Sequence, residues 1–291
     1  MDELLFIINP VAGGGKARAI EDIIIKEMED YQGKISIMLT ENPKEATTMA
    51  YQSHIETIIA VGGDGTITEV AKGMIRRGYG TLGIIPGGTG NDFTKSLGIE
   101  KNTIEAIKTI KLAKTMKIDI GLANGYKFLN IGSVGLDAEV TRESEKIKKY
   151  VGGKASYILS IFVALAKFKQ KKVAIEIDGR KEEKNLVLFA IGNGKYYGGG
   201  LQMIPNAILN DGFLHACIVK DVSRFRILTI FPEVYKGKHL RHTKYTETFK
   251  AKRVKIYSKQ DIYMNLDGEL FSPGREVEFS ISDEKLNVII P

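Results

Sequence analysis

Thr57-Ile58-Ile59-Ala60-Val61-Gly62-Gly63-Asp64-Gly65-Thr66-Ile67-Thr68-Glu69 decides how this chain of 291 residues is read. An apolar run ends in a glycine turn and a helical pattern follows, so the stretch spells strand, turn, helix. Gly62, Gly63 and Gly65 let the backbone approach a ligand closely and take positive φ, and the helix start beyond them presents unpaired N–H groups to an anion. A phosphate suits that place. Asp64 puts a carboxylate in the same turn, where a phosphate-bound Mg²⁺ needs an oxygen ligand, and Thr66 adds a hydroxyl. The same letters have a plainer reading, because Thr66 and Glu69 are also spaced as a helix capping box. Spacing alone leaves both open.

Working outward, Leu4–Ile8 is an unbroken apolar run of the kind a buried parallel strand shows, followed by Asn9-Pro10-Val11-Ala12-Gly13-Gly14-Gly15-Lys16. Ile20, Ile23, Ile24 and Met28 then recur at helical spacing, so this loop also opens a helix. Lys16 lacks the Gly-x-x-x-x-Gly-Lys-Ser/Thr spacing of a phosphate loop, and backbone groups are expected to make the contacts instead. Ile35–Leu39 is a third strand, ending at Thr40. Asn42-Pro43-Lys44-Glu45 reads as a helix start with proline at the first helical position. Residues 82–85 form a fourth strand before Pro86-Gly87-Gly88-Thr89-Gly90-Asn91-Asp92, which in isolation is a long turn. Polar or glycine-rich loops at the C-terminal ends of four strands are where open α/β sheets bind ligands. Residues 1–120 therefore read as an α/β nucleotide-binding domain.

From about Asp119 the texture changes, and short alternating runs with turn signals replace the strand-helix alternation. Residues 128–138 are glycine-rich and a helical segment covers about 157–167. Residues 173–177, 186–191, 213–219, 254–257, 262–266 and 277–281 read as strands, so residues 121–291 form a mainly β second domain. The final apolar run, 286–290, is free to return to either domain.

Composition bounds the function. A chain of this length exceeds the usual size of one hydrophobic core, and 43% hydrophobic with 26% charged residues is ordinary for a globular protein. The N-terminus carries no signal-peptide pattern, and the longest apolar run, 155–168, is shorter than the roughly 20 residues that span a bilayer. A cytoplasmic protein is expected. Cys217 lies in an apolar strand and is expected to be a buried, reduced thiol. His54, His215, His239 and His242 show no zinc-ligand spacing, and neither Ser133 nor Ser156 sits in a Gly-x-Ser-x-Gly elbow. Forty-two basic against thirty-five acidic residues give +7, compatible with nucleotides, nucleic acid or an anionic membrane. Asp-Gly between Tyr263-Met264-Asn265-Leu266 and Glu269-Leu270-Phe271 is a hairpin signal, although in extended backbone Asp267 and Glu269 would face one side of a sheet.

Taken together, Asn9-Pro10 with Gly13, Gly62-Gly63-Asp64-Gly65-Thr66 with Glu69, and Pro86-x-Gly88-Thr89-x-Asn91-Asp92 resemble the diacylglycerol kinase catalytic-domain family, specifically its soluble bacterial lipid kinases. Gly198-Gly199-Gly200 with Pro205, Asp211-Gly212 and Leu266-Asp267-Gly268-Glu269 extend the likeness nearly end to end. The resemblance implies a first domain like those of NAD kinases and phosphofructokinases, with ATP along Asn9, Pro10, Gly13, Thr40, Gly62 to Glu69, Gly88, Thr89, Asn91 and Asp92. It implies catalytic Mg²⁺ at Asp64, with Asp92 beside it, and phosphorylation of a lipid hydroxyl deprotonated by Asp267 or Glu269, the latter at the family's usual proton-acceptor position. It also implies a structural Mg²⁺ held by the Asp211 carboxylate and the carbonyls of Ile208 and Phe213. An acidic residue commonly follows that motif, and here His215 stands in its place.

Basic clusters at 146–149, 167–172, 236–244 and 250–255 are interspersed with Phe162, Phe168, Phe231 and Tyr235. They are ordinary solvated faces, or else a peripheral membrane contact at the inner face of the cell membrane, at about 1 kcal/mol per basic residue near the surface. Phosphoryl transfer to a lipid hydroxyl is the first reading. A soluble small-molecule kinase shares the Gly-Gly-Asp-Gly turn, and a noncatalytic nucleotide or nucleic-acid binder leaves the paired carboxylates unexplained and lacks a recognition motif. Dimerisation is left open.

Overall fold

The computed structural model describes residues 3–14, 16–147 and 153–291; the side chains of Lys16 and Ser156, and residues Lys148 and Lys149, lie outside that description. In the N-terminal half β1 (Leu4–Ile8), α1 (Lys16–Glu27), β2 (Ile35–Leu39), α2 (Glu45–Gln52), β3 (Thr57–Gly62), α3 (Asp64–Arg77) and β4 (Thr81–Pro86) alternate as the apolar runs predict. The four strands are parallel, in the order β2-β1-β3-β4. β1 is buried along its whole length, which is why its sequence is unbroken rather than alternating, while β2 at the edge is half-exposed. The order reverses between β1 and β3, and the crevice at such a switch point is the ligand position of open α/β sheets. Ile8 pairs with Val61 and Gly62 with Pro86, so the loops after β1, β3 and β4 leave the sheet at one level.

Two helix starts differ from the sequence reading. α2 begins at Glu45, after Lys44 in the left-handed region at φ 68°, so Pro43 precedes the helix and is not its first residue. The Glu45 carboxylate instead accepts from the N–H groups of Glu41 and Asn42, at 2.6 and 3.0 Å. α3 begins at Asp64 with Gly63 as its cap, which leaves Thr66 inside the first turn and forms no capping box with Glu69.

α4 (Asp92–Leu97) and α5 (Thr103–Leu112) complete this half. β5 (Thr115–Ala123), β6 (Tyr126–Phe128), β7 (Ile131–Gly135), α6 (Leu136–Ile147), α7 (Gly153–Lys167), β8 (Lys171–Ile177), β9 (Arg180–Gly192), β10 (Leu214–Lys220), α8 (Arg224–Val234), β11 (Thr246–Ala251), β12 (Arg253–Leu266) and β13 (Glu269–Ile289) follow. Residues 254–257 and 262–266, read as two strands, are one, with a register shift between Tyr257 and Ile262. Residues 277–281 and 286–290 likewise belong, but for the last residue, to the 21-residue β13. β13 runs antiparallel to β12 and β5, then pairs in parallel with β4 through Asn287 with Thr81 and Val288 with Leu82. It joins the described strands of both halves in one sheet of thirteen.

β9 is buried on both faces along residues 186–192. Phe189 packs on Phe279 with ring centroids 5.7 Å apart, and burial of each such ring stabilises the fold by roughly 1.5–3 kcal/mol. Val187 and Ala190 turn the other way, toward Leu201, Met203 and Cys217. Cys217 is fully buried, and burial pushes its thiol up to about 12.

Candidate active site

The loops after β3 and β4 touch each other backbone to backbone. A Cβ on Gly88 would lie 2.4 Å from the Gly63 Cα, and the Gly87 N–H donates to the Gly62 carbonyl at 2.7 Å. Asn9 Nδ2 donates to Thr66 Oγ1 at 3.2 Å, tying the first loop to α3. Beyond Pro10 the first loop turns through Gly13 at φ 62° and Gly14 at φ 76°, conformations that favour glycine. Gly65 is a different case: its φ is ordinary and a side chain there would meet nothing within 4 Å. The fold does not need a glycine at that position. Its bareness leaves room at the start of α3, where no side chain caps the helix and its N–H groups suit phosphate oxygens.

The remaining positions of this set divide. Thr40 is buried and its N–H donates to the Ile8 carbonyl, which holds the end of β2 beside the first loop. Thr89 is exposed in the third loop, and Glu69, one turn into α3, is half-buried. Asn91 lies inside the third loop rather than on it, in the left-handed region at φ 52°. Its Oδ1 accepts from the Gly88 N–H at 3.0 Å and its Nδ2 donates to the Gly88 carbonyl at 2.9 Å. Both polar ends are thus occupied in shaping the loop.

Asp64 and Asp92 converge. Asp64 Oδ1 accepts from the N–H groups of Asp92 and Phe93, at 2.7 and 3.1 Å, and so anchors the start of α4. Asp92 accepts from Lys95 Nζ at 3.0 Å and from the Gly199 N–H at 2.7 Å, which brings the C-terminal half onto the site. A Cβ on Gly90 would lie 2.9 Å from Asp64 Oδ2 and 3.7 Å from Asp92 Oδ2, so both oxygens face the same small space. Burial raises the proton affinity of Asp64, and the Asp92 charge adds to it against the pull of the backbone donors. Two converging carboxylates of this kind fit Mg²⁺, which is held by one or two carboxylates together with water and substrate phosphates. Among the described residues no cluster of three or more His, Cys, Asp or Glu side chains offers a full protein cage.

Asp267 and Glu269 part company. Leu266 pairs with Glu269, and Asp267 at φ 50° with Gly268 at φ 93° makes a two-residue hairpin turn, so the two carboxylates do not share a face of extended strand. Asp267 turns inward. Its Oδ2 accepts from the Leu129 N–H at 2.7 Å, and its Oδ1 from those of Asn130 and Ile131 at 3.0 and 3.1 Å. Burial raises its proton affinity more than these three donors and Lys72 lower it. Glu269 points outward, half-exposed, in a 2.7 Å ion pair with Lys72 of α3. It lines a separate groove with Arg76, Lys127 and Phe271. Asp267 lines a cleft of about 320 Å³ with Asp64, Asp92, Asp137 and Asn265.

The proposed structural-metal position does not fit a Mg²⁺. Asp211 Oδ2 lies 3.1 Å from His215 Nε2 and 3.6 Å from Lys250 Nζ, and its Oδ1 accepts from the Phe213 N–H at 3.2 Å. A carboxylate facing an imidazole and an ammonium is already matched by nitrogen. Ile208, whose carbonyl would complete the set, is half-exposed. The neighbouring Asp119 accepts from the Gly212 N–H at 2.7 Å and Lys285 Nζ at 2.6 Å.

Sequence reasoning passed over Asp137. It is buried at the start of α6, where Ser133 Oγ and Asn265 Nδ2 donate to its Oδ2 at 2.5 and 2.9 Å and Tyr197 is a further partner. Burial raises its proton affinity against these donors. A signal existed, since Ile131-Gly132-Ser133-Val134-Gly135-Leu136-Asp137 repeats the strand, glycine, helix order of the first half. Asp137 and Tyr197 also line an apolar cavity of about 290 Å³ between α6, α7, α8 and β9.

Comparison with known proteins agrees with this architecture. Residues 3–123 match the diacylglycerol kinase catalytic domain, and residues 130–290 match the YegS C-terminal NAD kinase beta sandwich-like domain. A diacylglycerol kinase of Bacillus subtilis is 31% identical over 300 residues, covering 100% of this chain and 97% of its own. One from Staphylococcus saprophyticus is 31% identical over 268 residues, 90% of this chain and 87% of its own. The crystal structure of a putative diacylglycerol kinase from Bacillus anthracis superposes with a TM-score of 0.79 at 29% identity, covering 100% of this chain and 97% of that one. An NAD kinase from Archaeoglobus fulgidus, solved in complex with ATP, shares the fold at a TM-score of 0.51 and 14% identity. The chain therefore belongs to the diacylglycerol kinase family and is a kinase.

Proposed function

We propose that the protein transfers the γ-phosphoryl group of ATP to the hydroxyl of diacylglycerol or a similar lipid, giving a phosphatidic-acid-type product. The observation that carries this reading is the convergence of Asp64 and Asp92 beside the bare start of α3, in a cleft that also holds Asp267. Backbone N–H groups of the loops at Gly13, Gly63 and Gly65 bind the phosphates. Asp64 and Asp92 would hold Mg²⁺, which when bound neutralises charge on the transferring group. In the transfer the lipid oxygen bonds to the γ-phosphorus, the phosphorus bond to the bridging oxygen of ADP breaks, and Asp267 takes the hydroxyl proton. Asp267 suits that task better than Glu269, since it lines the cleft and its Oδ2 accepts one backbone bond and keeps a lone pair. Alignment and charge supply most of such a reaction's acceleration, so glycines and carboxylates suffice.

Membrane contact belongs to the same reading, and the structure shifts its basis. Many cations of the basic clusters face acids: Lys146 and Lys167 flank Glu143, Lys172 meets Glu183, Arg241 meets Glu233, and Arg253 and Lys255 share Glu278. Exposed Phe162, Phe225, Leu228 and Tyr235 on and beside α7 and α8 give the contact an apolar character. No helix among the described residues is long and apolar enough to cross a membrane.

The test is transfer of labelled γ-phosphate to a mixed-micelle panel of diacylglycerol, monoacylglycerol, sphingosine and phosphatidylglycerol, with NAD and fructose 6-phosphate as soluble controls. Labelled phosphatidic acid, formed from diacylglycerol, is the expected product. Label confined to a soluble control would replace this reading with that of a small-molecule kinase.

A further inference from the structure

The apolar cavity is not an ordinary core gap. Leu136, Val140, Leu165, Leu201, Met203 and Phe231 supply hydrocarbon walls on all sides, yet space of about 290 Å³ remains open among them. Well-packed interiors leave few voids larger than a water molecule, so a space of this size, near the lower end of the roughly 300–1,000 Å³ typical of ligand sites, is built for an occupant. The walls set its chemistry, because a hydrocarbon loses nothing there and a polar solute would find almost no partner.

Two features say which hydrocarbon. At its inner end the cavity meets the phosphoryl-transfer cleft, since Asp137 and Tyr197 line both spaces. At its outer end Phe162, Leu228 and Tyr235 line the cavity while 54%, 40% and 47% exposed, an apolar mouth open to the surface, with Phe225 beside it at 83%. A molecule filling this path is apolar from the surface inward and polar where it reaches the cleft.

We propose that the cavity is the acyl-chain site of the acceptor lipid: one chain enters between α7 and α8, and the glycerol end stops at a polar collar of Asp137 and Tyr197 with its hydroxyl in the cleft. The proposal rests on the lipid-kinase reading and adds to it the place and number of the chains. The volume suits one hydrocarbon segment, so the second chain stays outside, against the exposed apolar mouth. The carboxylate collar marks the depth of insertion, because a methylene pushed past Asp137 would displace donors from a buried charge.

The chain contains no tryptophan, so Phe231→Trp places a lone reporter in the cavity wall. The variant is titrated, without ATP, with a bromine-labelled short-chain diacylglycerol kept below its micelle concentration. Saturable quenching, reversed by the unlabelled lipid, is expected. In parallel, wild-type KM is measured for monomeric diacylglycerols of increasing chain length, and should fall about fourfold per methylene and then level off once the cavity is full. Leu201→Phe, which narrows the cavity, should bring the plateau at shorter chains while leaving KM for ATP unchanged. No saturable quenching from a lipid that the same variant phosphorylates, or a KM independent of chain length, would overturn the proposal. Saturable quenching without phosphorylation of any lipid would keep the acyl site and sink the kinase reading. The chain-length series uses the unaltered protein and stands even if Phe231→Trp folds poorly.

Discussion

Asp211-Gly212 and Asp267-Gly268 are the same dipeptide in turns of the same half, and the fold puts them to opposite uses. Asp267 is carried inward by a hairpin and clamps three backbone N–H groups at residues 129–131, on the wall of the cleft. Asp211 stays near the surface between His215 and Lys250. The Asp267 turn meets backbone donors that cannot move away, so its carboxylate is held in place. The Asp211 turn meets an imidazole and an ammonium, so its carboxylate already has nitrogen partners. What an aspartate does is set by the mobility and charge of its neighbours more than by its own turn.

The largest effects should fall on the inward turn. Asp267→Ala leaves three backbone donors without their acceptor and is expected to lower stability by about 3–5 kcal/mol in urea unfolding and to abolish turnover. Asp267→Asn keeps the shape and should reduce kcat by about 10²-fold or more with ATP binding retained. If kcat survives, the proton goes elsewhere. Asp64→Asn should fold and lose about 10²–10³-fold in kcat, with a weaker response to added Mg²⁺ in ATP binding, because one of two converging carboxylates is gone.

The outward turn should respond weakly. Asp211→Asn is expected to cost about 1 kcal/mol, and a chelator should leave the Tm of the nucleotide-free protein unchanged. A fall in Tm on chelation would mean that a metal displaces His215 and Lys250 there, and the contrast between the two turns would fail. Glu269→Gln breaks an exposed pair with Lys72, worth about 0.2–1 kcal/mol, and should keep kcat within a few-fold. A collapse of activity in that variant would return the base to Glu269.

Acidity sharpens the same contrast. Asp137 and Asp267 have proton affinities raised by burial, so the folded state binds protons that the unfolded chain has already released. Their contribution to stability is complete below the ordinary aspartate pKa of about 3.9 and is lost as pH rises through the raised folded values. Asp137→Asn should therefore melt higher than the wild type at neutral pH, with the gap closing as pH falls below about 4. A gap unchanged with pH would mean that Asp137 titrates normally.

The glycine loops were legible because they are local: a strand, a bare turn and a helix start lie within a dozen residues. Apolar periodicity likewise gave the four parallel strands. Where competition came from neighbours, local reading failed. Thr66 and Glu69 have capping-box spacing, but the helix starts at Asp64 and needs no such cap. Asn91 looks like a ligand of the nucleotide and instead braces its own loop.

By itself, then, the order of residues determined the α/β half, the strand-rich half and the glycine turns at the strand ends, since these follow from contacts a few residues apart. Only the tertiary structure decided which carboxylates meet. Asp64 and Asp92 are 28 residues apart and touch through the start of α4, while Asp137 and Asn265 are 128 apart and share a hydrogen bond. Asp267 and Glu269 are neighbours in sequence and end in different clefts. The physical reason is that a turn's sign of φ, and the long-range pairing of β13 with both halves, set the direction of a side chain, and neither is written in the spacing of the residues that carry it.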